Sequence, residues 1–156
     1  MKLRYVLIAT GLGLGFSPKA PGTVGALGGC LIATIIKLYS SWSTAWLTFL
    51  IVFFIPVGAY CSGKLETDWG KDPSEIVIDE IVGMWIALLA LPSGWIYTLA
   101  AFILFRFFDI YKPFFIKRME KLKGGWGVMM DDVLAGIYTN IIIQLFCFLV
   151  TIIIVS

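Results

Sequence analysis

Apolar runs broken by short polar stretches give this chain five segments of membrane-helix character, at residues 24–39, 42–61, 76–91, 95–110 and 133–155. A helix that crosses a bilayer needs roughly 20 largely apolar residues, with a range of about 17 to 25. Segment 42–61 meets that length, with Pro56 as a kink position, and 133–155 is the longest and cleanest. Segment 24–39 is short. Segment 76–91 is apolar apart from Asp79 and Glu80 near its start, and 95–110 is apolar until Arg106 and Asp109 near its end. Residues 5–16 are apolar but too short to span, and read as a re-entrant element or half-helix. The pattern predicts an all-α fold: a multi-pass membrane helical bundle of about five helices, forming one domain over residues 1–156.

Composition strengthens this picture. The chain is 60% hydrophobic with a mean hydropathy of +0.94, and only 14% of its residues are charged, against about 25% for soluble proteins. A net charge of +2 is too small to suggest nucleic acid. The start Met1-Lys2-Leu3-Arg4 has the look of a signal peptide, but the glycines and prolines that follow read as a structured loop, so it is taken as retained. Cys30, Cys61 and Cys147 lie in or beside apolar runs without metal-type spacing, and read as small packing residues. Histidine is absent, which removes every mechanism with a histidine base, nucleophile or ligand and leaves such work to carboxylates.

Charge then orients the chain. The loops near residues 39–41 and 92–94 carry no charge, and Lys37 is the one basic residue near the first of them. Alternating the loops puts Lys2, Arg4, Lys19, Lys64, Lys71 and the lysines and arginine of 112–123 on one side, which the positive-inside rule makes cytoplasmic. All ten carboxylates, from Glu66 to Asp132, fall on that same side. Acids at the edge of lipid are costly and mark functional sites by default.

The individual motifs allow bland and sharp readings. Asp72-Pro73-Ser74-Glu75 reads as a helix start with a capping box. That start puts Asp79 and Glu80 about two turns inside a helix, where capping cannot use them and a metal ion or a cationic phosphate-binding group can. Arg106, Asp109 and Lys112 recur at i, i+3 and i+6: either a local ion-pair ladder, or a face on which Arg106 or Lys112 holds phosphate and Asp109 binds metal. Gly124-Gly125-Trp126-Gly127 leads into Asp131-Asp132. One of these two acids is suited to cap the last helix, and the other is left for a further partner. Paired carboxylates without a cation repel, and oxygen-rich sites suit Mg²⁺. The 17–23 loop carries Lys19, Gly22 and Thr23, with Thr23 as the expected N-cap of a helix whose N-terminus can meet an anion; a plain turn is the simpler reading. Glu66 and Glu120 read as solvated.

Four blocks resemble the phosphatidylglycerophosphatase A family: Ala20-Pro21-Gly22-Thr23-x-Gly25; Ile76-Val77-x-Asp79-Glu80-x-x-Gly83-Met84-Trp85; Phe105-Arg106-x-x-Asp109-x-x-Lys112-Pro113; and Gly124-Gly125-x-Gly127-x-Met129-x-Asp131-Asp132-x-x-Ala135-Gly136. They occur in family order without departure at the polar positions, and Asp68 matches a further family position. The resemblance implies a bacterial inner-membrane, Mg²⁺-dependent phosphatase that converts phosphatidylglycerophosphate to phosphatidylglycerol. The implied roles put Asp79, Glu80, Asp109, Asp131 and Asp132 on metal and catalysis. Lys19, Gly22, Thr23, Arg106 and Lys112 take the substrate phosphate, and Asp68 is accessory. A covalent aspartyl-phosphate is the alternative to direct attack by water. No obligatory protein partner is inferred. The rival readings are a small cation transporter or channel subunit, and a Mg²⁺-dependent phosphatase for another lipid phosphate.

Overall fold

The computed structural model describes residues 2–71 and 73–155. Seven α-helices form, and no strand occurs among the described residues. They are α1 (Lys2–Ala9), α2 (Pro21–Tyr39), α3 (Ser43–Trp69), α4 (Ile78–Leu88), α5 (Trp95–Tyr111), α6 (Ile116–Met119) and α7 (Gly125–Val155), with a 3₁₀ turn at Leu14–Phe16 between the first two. The all-α expectation holds, and the short α1 is a half-helix followed by a turn.

Among the described residues, three helices are long and apolar enough to cross a membrane: α2, α3 and α7. The expected five are not all present at that length. Helix α4 has 11 residues, about 16 Å of rise against a hydrocarbon core of about 30 Å, and α5 has 17. Conversely, α3 and α7 are longer than their apolar cores suggest, because their polar ends at 62–69 and 125–132 are also helical.

The expected helix start at Pro73 is not observed. Asp72 lies outside the described residues, and α4 begins at Ile78. The Ile76 N–H turns back to the Pro73 carbonyl at 3.0 Å, while the Val77 N–H donates to the Ala9 carbonyl at 2.9 Å. That tie to the end of α1 holds the 73–77 backbone out of helix until Val77, the N-cap, is passed.

Helix α4 is the core of the molecule. Every residue in it except Glu80 is buried, with α2 packed on one side and α7 on another. The α4–α7 approach is backbone to backbone: a Cβ on Gly136 would lie 2.4 Å from the Gly83 carbonyl oxygen. Asn140 of α7 then caps the end of α4, its Nδ2 donating to the Ala87 and Leu89 carbonyls at 3.1 and 2.8 Å. Outside this core many large apolar side chains are exposed. Leu31, Phe49, Val52, Ile103, Phe146 and Ile153 all point outward, the inverse of a soluble protein and the expected face toward lipid.

The bundle has two distinct ends. The N-termini of α2, α4 and α7 and the C-terminus of α5 meet at one. At the other, Lys37 near the end of α2 donates from Nζ to the Leu91 carbonyl at 3.2 Å, joining the last turn of α2 to the loop between α4 and α5.

Candidate functional site

The two acidic pairs exchange the positions that local sequence suggests for them. Asp79 and Glu80, expected about two turns inside a helix, lie in the first turn of α4, where the helix dipole favours negative charge. Asp131 and Asp132, one of which was suited to a cap, stand inside α7, whose first turn holds no acid; Asp131 is about 9 Å along from Gly125. Each pair has the same local lock: Asp79 Oδ1 accepts the Glu80 N–H, and Asp131 Oδ1 accepts the Asp132 N–H, both at 3.1 Å.

The close contact of α4 and α7 brings the pairs together. Asp79, Glu80 and Asp132 each offer a carboxylate oxygen, and these atoms lie within 4.8 Å of one another. Asp79 and Asp132 are buried, and Glu80 keeps 14% of its side chain exposed. Helix α5 adds the third wall. Arg106 and Asp109, one turn apart, form an ion pair, and Arg106 Nη1 stands 3.9 Å from Glu80 Oε1. Asp109 is an electrostatic neighbour of both Glu80 and Asp132.

Helix α2 meets this group with its N-terminus. A Cβ on Gly22 would lie 2.1 Å from Glu80 Oε1 and 3.2 Å from Arg106 Nη1, so only glycine leaves both groups where they are. The N-cap is Ala20, in the left-handed region at φ 47, and Pro21 takes the first helical position. Thr23 is therefore in the first turn, not the cap as the sequence suggests. The early N–H groups of such a turn have no intrahelical acceptor.

Lys112 caps the C-terminus of α5 with φ 45. Its Nζ donates to Asp131 Oδ2 and Glu120 Oε1, both at 2.7 Å. Burial opposes its charge, but the hydrogen bonds to Asp131 and Glu120 outweigh that and raise its pKa above the ordinary lysine value of 10.5. Glu120, which reads as solvated in the sequence, thus joins the site region. It follows Lys112 by eight residues across a proline-broken stretch, so no periodicity points to it. Lys19 is exposed on the loop before α2, and Asp68 is exposed near the end of α3; neither belongs to the close carboxylate group. Asp131 also lines a cavity of about 340 Å³ that includes Glu66, Lys71 and Glu120.

Two features of the cluster call for a ligand. Glu80 Oε2 and Arg106 Nε are buried without a hydrogen-bond partner, which is rare in native interiors. Asp79, Glu80, Asp109, Glu120, Asp131 and Asp132 gather around the two cations Arg106 and Lys112, with more negative than positive charge in the group. The all-oxygen donor set of Asp79, Glu80 and Asp132 has the chemistry of a hard divalent cation site, and the unpartnered Arg106 Nε with the α2 N-terminus has that of an anion site.

Residues 7–147 match the sequence model of a family described as "Phosphatidylglycerophosphatase A". A Haemophilus influenzae protein named "Phosphatidylglycerophosphatase A" is 46% identical over 140 residues, covering 88% of this chain and 85% of the relative. An Escherichia coli protein of the same name is 38% identical over 136 residues, covering 84% and 76%. A Bacteroides thetaiotaomicron protein named "Putative phosphatidylinositol-3-phosphatase" is 52% identical over 144 residues, covering 88% and 90%. No solved structure matches the chain.

Proposed function

We propose that this chain, which belongs to the phosphatidylglycerophosphatase A family, hydrolyses the phosphate monoester of phosphatidylglycerophosphate. The products are phosphatidylglycerol and inorganic phosphate. The reaction uses Mg²⁺ at the cytoplasmic face of a bacterial inner membrane. One observation carries the reading: the four sequence blocks, spread over more than a hundred residues, meet around Glu80, with Gly22, Arg106 and Asp132 as its neighbours.

Asp79, Glu80 and Asp132 would hold the cation, with Asp109 and Asp131 as the adjacent carboxylates. When bound, Mg²⁺ supplies Lewis-acid charge that offsets the phosphate and makes a water more acidic. Arg106 and the first N–H groups of α2 bind phosphate oxygens, and Gly22 keeps the approach open. Lys112 holds Asp131 in place through its ion pair. A carboxylate of the cluster accepts the proton of the attacking water and passes it to the glycerol oxygen as the P–O bond to that oxygen breaks in line with the attack, giving the alcohol and inorganic phosphate. The transporter reading would require acids near the bilayer midplane or at both ends, whereas these gather at one.

A second reading rests on the Bacteroides relative, whose name gives a phosphoinositide as substrate. Both substrates are lipid phosphate monoesters, so the same site chemistry serves either. The test is phosphate release by purified protein from phosphatidylglycerophosphate, phosphatidylinositol 3-phosphate and phosphatidic acid, with and without EDTA. The expected result is the highest kcat/KM on phosphatidylglycerophosphate, abolished by EDTA and restored by Mg²⁺. Preference for phosphatidylinositol 3-phosphate would establish the second reading, and full activity in metal-free buffer would remove the metal.

A further inference from the structure

The lone basic residue of the far end, Lys37, has no part in the phosphatase reading. Lys37 is among the residues that line a cavity of about 520 Å³ between α2 and α5. The cavity is amphipathic along its length. Lys37, Ser93 and Trp95 line one end, and Leu27, Leu99 and Phe102 line the other. Among the described residues of the lining, Lys37 is the one charged side chain and none is a carboxylate. One of its three N–H donors is taken by the Leu91 carbonyl, which ties the ammonium to the loop between α4 and α5 and leaves two donors over.

Depth identifies the occupant. Lys37 is 16 residues along α2 from Pro21, about 24 Å at 1.5 Å per residue, and so near the opposite boundary of a hydrocarbon core about 30 Å thick. Trp95, 75% exposed, stands where interfacial tryptophans collect. From that level the apolar lining runs inward, toward the middle of the bilayer. A phosphate at Lys37 with a hydrocarbon tail against Leu99, Phe102 and Leu27 matches both polarity and direction. A substrate lipid entering from the carboxylate end would instead push its tail toward an ammonium.

We infer that this groove is a binding site for an anionic phospholipid of the leaflet opposite the carboxylate cluster, with its phosphate on Lys37 and an acyl chain between α2 and α5. The site is separate from the phosphatase centre and does not depend on that reading.

The test is photo-crosslinking of the full-length protein in nanodiscs. The probe is a phosphatidylserine analogue with a diazirine on one acyl chain, and a phosphatidylcholine analogue is the control. Peptide mapping should find phosphatidylserine adducts in α2 beyond Leu27 and in 95–102. Lys37→Gln should lower them about fivefold, the equivalent of about 1 kcal/mol for one basic residue at an anionic surface. Leu99→Trp, which fills the groove and leaves Lys37 in place, should lower them as well, and keeps the test valid if Lys37→Gln does not fold. Both variants should retain wild-type phosphate release. Equal labelling by the phosphatidylcholine analogue, or unchanged labelling in Leu99→Trp, would overturn the proposal.

Discussion

Replacing Gly22 with alanine puts a methyl group where Glu80 Oε1 now lies, 2.1 Å from the new carbon. The carboxylate must move by about an ångström or more, and displacements of that size at a reacting centre cost about 10²-fold in rate. Helix propensity favours alanine over glycine by about 1 kcal/mol, so stability should not fall for that reason. Gly22→Ala should therefore lose kcat/KM by roughly two orders of magnitude while its thermal unfolding stays near wild type; equal turnover would remove Gly22 from the site. Lys112 behaves differently. Lys112→Met removes the ion pair that the lysine makes with buried Asp131. The cost of breaking a buried pair, about 3–5 kcal/mol, is discounted here to about 1–3 because the lysine side chain keeps 23% of its surface exposed. Since its folded-state pKa is raised, the lysine's contribution is fully present below 10.5 and is lost only as pH rises through the higher folded value. The gap in unfolding temperature between wild type and Lys112→Met should stay constant from about pH 7 to about pH 10; a gap that closes in that window contradicts the pairing. At this scale Asp79, Glu80, Arg106, Asp109 and the 131–132 pair are legible in the sequence, because charge inside apolar sequence needs a reason. Glu120 is not, because only the fold of 112–124 brings it to Lys112.

Helix α4 is where local signals and the fold part company. A proline at N1 with a capping box is a strong local start, yet the Val77 N–H is taken by Ala9, almost seventy residues earlier. A single long-range bond delays the helix by five residues and moves Asp79 and Glu80 from its interior to its first turn. Nothing local to residues 72–80 records that bond, so the start was illegible while the helix itself was not. The same holds for the number of crossings: apolar content marks segment 76–91, but its burial among α2, α3 and α7, rather than exposure to lipid, is what that content serves. The α4–α7 contact gives the test at this scale. Gly136→Val adds three carbons where even one would stand 2.4 Å from the Gly83 carbonyl oxygen. Overpacking of this kind costs about 1–3 kcal/mol, and Asp132 lies one turn before Gly136 on the same face of α7. The variant should lose both unfolding temperature and turnover. A variant that loses turnover alone would mean that the helices can separate freely and only the carboxylate geometry suffers.

Across the whole molecule, charge is distributed far more unevenly than the number of long helices would suggest. The carboxylate cluster, Lys112 and the basic stretch 117–123 stand at the end where α2, α4 and α7 begin. The other end carries Lys37, bonded to Leu91, and loops without charge. Although α4 and α5 are too short to be counted as spans by length, the Lys37–Leu91 bond puts the loop between them at the far end of α2, so the pair covers the depth of the bundle together. The positive-inside rule applied to this asymmetry predicts a cytoplasmic basic end, the side on which the proposed substrate's phosphorylated head would meet the cluster. Two single cysteines test it in a chain carrying Cys30→Ala, Cys61→Ala and Cys147→Ala. Ser93→Cys, in the uncharged loop, should react with a membrane-impermeant maleimide on intact cells. Lys123→Cys, beside the start of α7, should react only after lysis. The reverse pattern would put the cluster outside, and reaction of both from one side would break the two-ended arrangement on which both the phosphatase centre and the opposite-leaflet lipid groove depend.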